Sequence, residues 1–183
     1  MTRAAESAAV AGIVLAGGQS RRMGRDKASV SFAGRTLLEI AEDSLRQAGC
    51  ASVYVSGRPE RPNGIADRET GQGPAHAMID AIEFLGGRYC GALFLPVDMP
   101  LLEPSDLAPL FSGETGTCRA WERHPLPLFV PLSLSLPARE SVRSVKSLLA
   151  ALPTTWLAVE DSQADRFANL NTEAELTAAL KMR

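Results

Sequence analysis

Two short runs of the chain, Val10–Leu15 and Ala92–Val97, are apolar at successive positions rather than at alternate ones. A strand with two apolar faces must be covered on both, as strands inside a parallel α/β sheet are. The segments between these runs carry the complementary signal. Thr36-Leu37-Leu38-Glu39 has the spacing of a capping box, and Leu37, Leu38, Ile40, Ala41 and Leu45 follow at helical intervals up to a stop near Gly49. Ser52–Val55 reads as a strand closed by Ser56-Gly57, and a polar connection leads to Gly73-Pro74. A helix to about Leu85, halted by Gly86-Gly87, precedes the Ala92–Val97 strand, and Pro104–Phe111 reads as the next helix, with Pro104 near its start. Strands alternating with helices across short connections predict an α/β domain: a doubly wound, mostly parallel sheet with helices on both faces.

After Phe111 the rhythm changes. Thr117–Trp121 and Leu126–Pro131 read as strands joined by Glu122-Arg123-His124-Pro125, so residues 113–137 are the place for an antiparallel strand or a flap. Val30–Phe32 reads as a brief strand, Ser141–Leu152 as a helix and Trp156–Val159 as a strand. Thr172-Glu173-Ala174-Glu175 is a second capping box, opening a final helix to about Leu180. No repeat or linker interrupts the 183 residues, which suit one domain over 1–183. A chain this long buries ~70% of its unfolded surface and needs no disulfide or metal to fold.

Nineteen basic against 21 acidic residues leave a net charge of −2, which offers no basic face for nucleic acid or a membrane surface. The local exception is residues 21–27, where Arg21, Arg22, Arg25 and Lys27 face a single Asp26. Cys50, Cys90 and Cys118 have no metal or CxxC spacing; they read as small apolar residues and suit a cytoplasmic, reducing compartment. The small apolar stretch Ala8–Gly18 runs straight into a Gly/Arg loop, and is read as a strand rather than a signal segment. No apolar run reaches the ~18–20 residues of a membrane span.

In doubly wound sheets ligands bind outside the carboxyl ends of the strands. Three such ends carry distinctive residues. After the first strand come Leu15-Ala16-Gly17-Gly18 and then Arg22 and Lys27: glycines admit close backbone approach, and the two cations suit phosphate oxygens. A solvated surface turn is the alternative, but the position directly after an apolar strand favours a ligand loop. The spacing is neither GxGxxG nor GxxxxGK[ST], which argues against a dinucleotide oxidoreductase. After the Ala92–Val97 strand comes Asp98 in Pro96-Val97-Asp98-Met99-Pro100, poised either to hold Mg²⁺ against substrate phosphates or to serve as a turn residue. Ser56 ends the second strand. Farther along, Asn169-Leu170-Asn171-Thr172 offers two side-chain amides toward a ligand, or a plain polar turn before the last helix. Gly73, at a helix start, offers amides to an anion or a base edge, or simply a turn. Asp67 is either a solvated acid or an acceptor for the N1–H and N2–H₂ of guanine. His76 and His124 are assigned no proton-transfer role.

Together, Leu15-Ala16-Gly17-Gly18-x3-Arg22-Met23-Gly24-x-Asp26-Lys27, Gly73-Pro74, Pro96-Val97-Asp98-Met99-Pro100 and Asn169-Leu170-Asn171-Thr172 resemble the molybdenum cofactor guanylyltransferase (MobA-type) family of the nucleotidyltransferase superfamily, in order and across nearly the whole chain. The Leu-Ala-Gly-Gly form points to the guanylyl rather than the cytidylyl branch. The resemblance implies a Rossmann-like nucleotidyltransferase fold and transfer of GMP from GTP to the phosphate of molybdopterin, releasing pyrophosphate, with Mg²⁺. It implies that Leu15, Ala16, Gly17 and Gly18 contact nucleotide and that Arg22 and Lys27 serve the phosphates. It further places Ser56 beside the base or ribose, Asp67 on guanine, Gly73 at the cleft, Asp98 on the metal, and Asn169 and Asn171 along the site. A protein that delivers the labile acceptor or receives the product fits this reading, with no residue assigned to it. Alternatives are a related enzyme using CTP or another phosphate acceptor, and a non-catalytic nucleotide-binding protein on the same scaffold. The chain departs from the family pattern at Ser56, where asparagine is common, and at Ala75-His76-Ala77, where Leu-Ala-Gly follows Gly-Pro.

Overall fold

Seven strands make the central sheet of this computed structural model, which describes residues 9–17, 26–69, 71–113 and 116–181. In chain order the elements are β1 (Val10–Leu15), the small strands β2 (Ser31–Phe32) and β3 (Arg35–Thr36), helix α1 (Leu37–Ala48), β4 (Ser52–Ser56), β5 (Gly64–Ile65), α2 (Pro74–Leu85) and β6 (Gly91–Pro96). There follow α3 (Pro104–Phe111), β7 (Cys118–Trp121), β8 (His124–Pro131), α4 (Val145–Ala150), β9 (Thr154–Leu157) and α5 (Glu173–Lys181). The sheet order is β5-β4-β1-β6-β8-β7-β9. β1 pairs in parallel with both β4 and β6, while β8 runs antiparallel to β6 and β7. The expected doubly wound, mostly parallel sheet is therefore present, and its departure falls within residues 113–137.

The double burial read from β1 is literal. Val10 and Val14 pack with Leu37 and Leu45 of α1, Leu107 and Leu110 of α3 and Leu176 of α5. Ala11, Ile13 and Leu15 pack on the other face with Met78 and Leu85 of α2 and Leu148 of α4. β6 divides likewise, Leu93 and Leu95 to the first layer, Ala92 and Phe94 to the second. α1 begins as its sequence predicts: Thr36 Oγ1 accepts from Glu39 N at 3.1 Å and Glu39 Oε2 accepts from Thr36 N at 2.8 Å. Gly49, at φ 106°, ends it. Cys50 and Cys118 are buried, which pushes each thiol up to about 12, and Cys90 is partly buried.

Several boundaries differ from the sequence reading, and partner strands explain most of them. β4 gains Ser56 and β6 spans Gly91–Pro96 because Leu15 pairs with both Ser56 and Pro96 and Val10 with Gly91. β9 starts at Thr154, set by its parallel partner β7, from Cys118↔Thr154 to Trp121↔Leu157. β8 extends back to His124, so the hairpin turn shrinks to Glu122-Arg123, with Arg123 at φ 65°. The helix expected over Ser141–Leu152 is confined to Val145–Ala150, because Ser144 caps it by accepting from Ser147 N at 3.1 Å. Ser31–Phe32 pairs with Arg35–Thr36 in a hairpin that the sequence reading lacked, as it lacked β5 and the 3₁₀ segment Asp161–Phe167.

That 3₁₀ segment is tied to α3 through Asp106, which is fully buried. Its carboxylate accepts from Arg166 Nη2 at 2.7 Å, Arg166 Nε at 2.9 Å, Gln163 Nε2 at 3.2 Å and its own helix start, Glu103 N, at 2.9 Å. Removing Asp106 takes the shared acceptor from Arg166, Gln163 Nε2 and Glu103 N at once. Asp106→Ala is expected to lower the unfolding free energy by about 3–5 kcal/mol in urea titration. A loss below about 1 kcal/mol would place this pair among ordinary surface contacts.

Candidate active site

The carboxyl ends of β4, β1 and β6 lie side by side, and the chain leaves β1 toward β4 before returning on its other side at β6. The crevice at such a switch point is where an open α/β sheet binds ligands. Two groups of side chains gather there.

The first lies beyond β1 and β6. Lys27 Nζ donates to Asp98 Oδ2 at 3.0 Å and to Asn171 Oδ1 at 2.6 Å. Both charged side chains are mostly covered, 16% exposed for Lys27 and 24% for Asp98. Lys27 is placed by a 3₁₀ turn that Asp26 caps, its Oδ1 accepting from Ala28 N at 3.1 Å. Asp98 leaves the end of β6, and its carbonyl accepts from Leu170 N at 2.8 Å. Asn171 Nδ2 donates to the Asn169 carbonyl at 3.2 Å, which turns Oδ1 toward the lysine. Asn171 meets Lys27, and Asn169 is exposed.

The second group lies beyond β1 and β4. The buried Ser56 hydroxyl donates to Asp67 Oδ1 at 3.0 Å. Ala16 N donates to the Ser56 carbonyl at 3.3 Å, and Gly57 N to the Ile65 carbonyl at 2.9 Å. Gly17 and Gly57 touch back to back: a Cβ on Gly57 would lie 2.5 Å from Gly17 Cα, and one on Gly17 would lie 2.8 Å from Asp67 Oδ2. Glycine is needed at Gly57 both for that contact and for its φ of 80°. Asp67, Ser56 and Gly17 therefore form one wall.

Adjacent residues join the groups, since Lys27 reaches Asp98 while Asp26 pairs with Arg58, directly after Gly57. The sequence reading missed Arg58, although its place one residue past the strand-end glycine was a usable signal. It also missed Glu175 as anything beyond a cap. Glu175 Oε2 accepts from Asn171 N at 2.6 Å and Thr172 N at 2.8 Å. Those bonds hold its carboxyl below the usual range, helped by the Lys27 charge. Gly73, at φ 89°, opens α2 and is exposed; among the described residues no hydrogen bond ties it to either group. Leu15 is buried at the end of β1, and Gly18 and Arg22 lie outside the described residues.

β8 begins at the edge where β6 ends, which brings His124 to the same rim. Its ring stacks on Phe167 with centroids 4.7 Å apart. Burial and the neighbouring Arg123 hold its pKa below the ordinary value. On acidification the unfolded chain takes up that proton first, so this residue's contribution to stability falls as pH drops below the ordinary histidine range.

Among the described residues no group of three or more His, Cys, Asp or Glu side chains is placed to hold a metal. What the strand ends offer is a lysine paired with a carboxylate and an amide, and a second carboxylate over a glycine wall, at the switch point, the equipment of a nucleotidyltransferase. Residues 12–155 match the MobA-like NTP transferase domain, and the chain belongs to that family. It is 36% identical over 169 residues to a molybdenum cofactor guanylyltransferase of Xanthomonas euvesicatoria, covering 88% of this chain and 89% of that protein. It is 35% identical over 201 residues to a probable molybdenum cofactor guanylyltransferase of Mycobacterium avium, covering 98% and 99%. In fold it is similar to the molybdopterin-guanine dinucleotide biosynthesis protein A of Archaeoglobus fulgidus, with TM-score 0.69, 23% identity and coverage of 94% and 97%. It is also similar in fold to a nucleotidyl transferase from Methanothermobacter thermautotroptrophicus, with TM-score 0.74, 14% identity and coverage of 95% and 97%.

The glycine wall yields a paired test. Gly57 and Gly71 both have positive φ, 80° and 84°, but a Cβ on Gly71 meets nothing within 4 Å. Gly71→Ala is expected to cost only the backbone term, about 1–2 kcal/mol, and Gly57→Ala clearly more, since backbone must also move. Thermal unfolding of the two variants measures the difference, and equal losses would mean that the Gly17–Gly57 contact imposes no constraint.

Proposed function

We propose that the protein transfers GMP from GTP to the terminal phosphate of molybdopterin, releasing pyrophosphate, in the cytoplasm. The observation that carries this reading is the convergence of Lys27, Asp98 and Asn171 at the switch point of the sheet. Membership of the MobA-like family and two guanylyltransferase relatives matched over most of their length support it.

In the reaction an oxygen of the acceptor phosphate forms a bond to the α-phosphorus of GTP as the bond to the bridging oxygen of pyrophosphate breaks. No covalent enzyme intermediate is required; the protein positions two anions and stabilises the charge that moves to the leaving group. Leu15, Ala16, Gly17 and Gly18 pass their backbone along the nucleotide. Lys27 and Arg22 serve the triphosphate, and to do so Lys27 turns its ammonium from Asp98 toward phosphate oxygens. Asp98, released from that pairing, is the residue to hold a divalent ion, taken as Mg²⁺. A lone, partly exposed carboxylate fits an ion that keeps waters and takes its other ligands from phosphates. When bound, that ion neutralises phosphate charge. Asn169 and Asn171 line the site, and Gly73 the rim. A carrier protein for the acceptor or the product is compatible with this open rim.

Asp67, held by Ser56 against Gly17, is the proposed reader of the base. One carboxylate accepts the adjacent N1–H and N2–H₂ of guanine; adenine lacks that pair, and cytosine presents acceptors that a carboxylate repels. The test is competition turnover with all four triphosphates, scored by pyrophosphate release in the presence of molybdopterin. GTP is expected to be preferred over ATP and CTP by about tenfold to a hundredfold in kcat/KM, the scale of leaving a charged acceptor unpaired. Asp67→Ala should flatten that preference by weakening GTP use more than ATP use. A preference for CTP in the wild-type protein would overturn the guanine assignment, and an undiminished GTP preference in Asp67→Ala would move base reading to another group.

A further inference from the structure

We infer that Glu175 is a positioning residue: by holding the backbone of Asn171 it sets where the Lys27 ammonium rests. The inference adds a residue to the proposed transferase site and rests on that reading only for its kinetic consequence.

In an ordinary capping box the acid accepts from the N-cap amide. At the start of α1 that is all Glu39 does, its carboxylate bonding only the backbone and hydroxyl of Thr36. Glu175 meets the same demand at Thr172 N and then takes a second, shorter bond from Asn171 N, the residue before the cap. Capping α5 does not need that second bond. Its effect is to fix the peptide carrying Asn171, whose Oδ1 lies 2.6 Å from Lys27 Nζ. Leu170 N, one residue earlier, bonds the carbonyl of Asp98. Glu175, although exposed, therefore anchors the turn that carries Asn171 and bonds the Asp98 backbone, and its negative charge lies near enough for Lys27 to lower its pKa.

The experiment compares Glu175→Ala, Glu175→Gln, Asn171→Ala and Glu39→Ala, the last removing an equivalent cap at α1. One readout needs no nucleotide: the rate of competitive acetylation of Lys27 in the free protein, followed by mass spectrometry. The other is kcat and KM for GTP. Glu175→Ala and Asn171→Ala are each expected to raise Lys27 labelling about threefold to tenfold, the scale of one lost hydrogen bond. Glu39→Ala should leave it unchanged, and Glu175→Gln, which keeps an acceptor oxygen, should retain most of the protection. kcat should fall by about tenfold in Glu175→Ala with a smaller change in KM, and adding Glu175→Ala to Asn171→Ala should cost little more. Lys27 labelling in Glu175→Ala that matches Glu39→Ala would overturn the inference, as would losses that multiply in the double variant. A wild-type protein that leaves GTP unused while Lys27 labelling still responds to Glu175→Ala would overturn the guanylyltransferase reading and keep the positioning role.

Discussion

The ammonium of Lys27 sits between Asp98 and Asn171, side chains 71 and 144 residues away in the chain. Most of the fold can be understood as what brings those three segments together and keeps them there. β1 precedes Lys27 in the chain, β6 delivers Asp98, and the parallel pairing of the two strands places their carboxyl ends side by side. The third segment arrives last and from farthest away. It is held by Leu170 N on the Asp98 carbonyl and, upstream, by the clamp of Arg166 on Asp106. In the proposed reading this mostly covered lysine–carboxylate pair is a poised arrangement: each charge is held by the other until a phosphate or a cation offers better compensation.

The neighbouring residue does the same on the other side. Asp26 reaches Arg58, beyond β4, while Lys27 reaches Asp98, beyond β6, so one dipeptide spans the switch point of the sheet. On the β4 side the wall is made by the absence of side chains, with Gly17 and Gly57 in contact and Asp67 fixed over them by Ser56. In the proposed reading the base lies against that wall and the phosphates against Lys27, which makes the Asp26-Lys27 step the hinge between recognition and chemistry.

The sequence carried the parts of this arrangement that depend on local chemistry. The double burial of β1 and β6 was legible because every residue of those runs is apolar. The starts of α1 and α5 were legible because Thr36–Glu39 and Thr172–Glu175 satisfy their own backbone donors. Boundaries failed where a partner strand decides the length: Thr154 is in β9 because Cys118 needs a partner, which nothing near Thr154 reveals. β5, two residues long, exists only because the end of β4 offers it an edge. Ser56 and Asp98 could be placed at one edge of the sheet from topology alone, each at the carboxyl end of its strand. That Asn171 rather than Asn169 turns to Lys27, and that Glu175 holds Asn171, depend on long-range contacts with no local signature.

The claim on which the functional reading depends most is that Lys27 and Asp98 serve the reacting phosphates as a unit. A double-mutant cycle on kcat/KM for GTP, using Lys27→Ala, Asp98→Asn and the combination in proteins shown to fold, measures this directly. Each single change is expected to cost about 10²–10³, the scale of one preorganised electrostatic group. The combination should cost little more than the larger of the two. Losses that multiply, or a folded single variant with wild-type turnover, would contradict it.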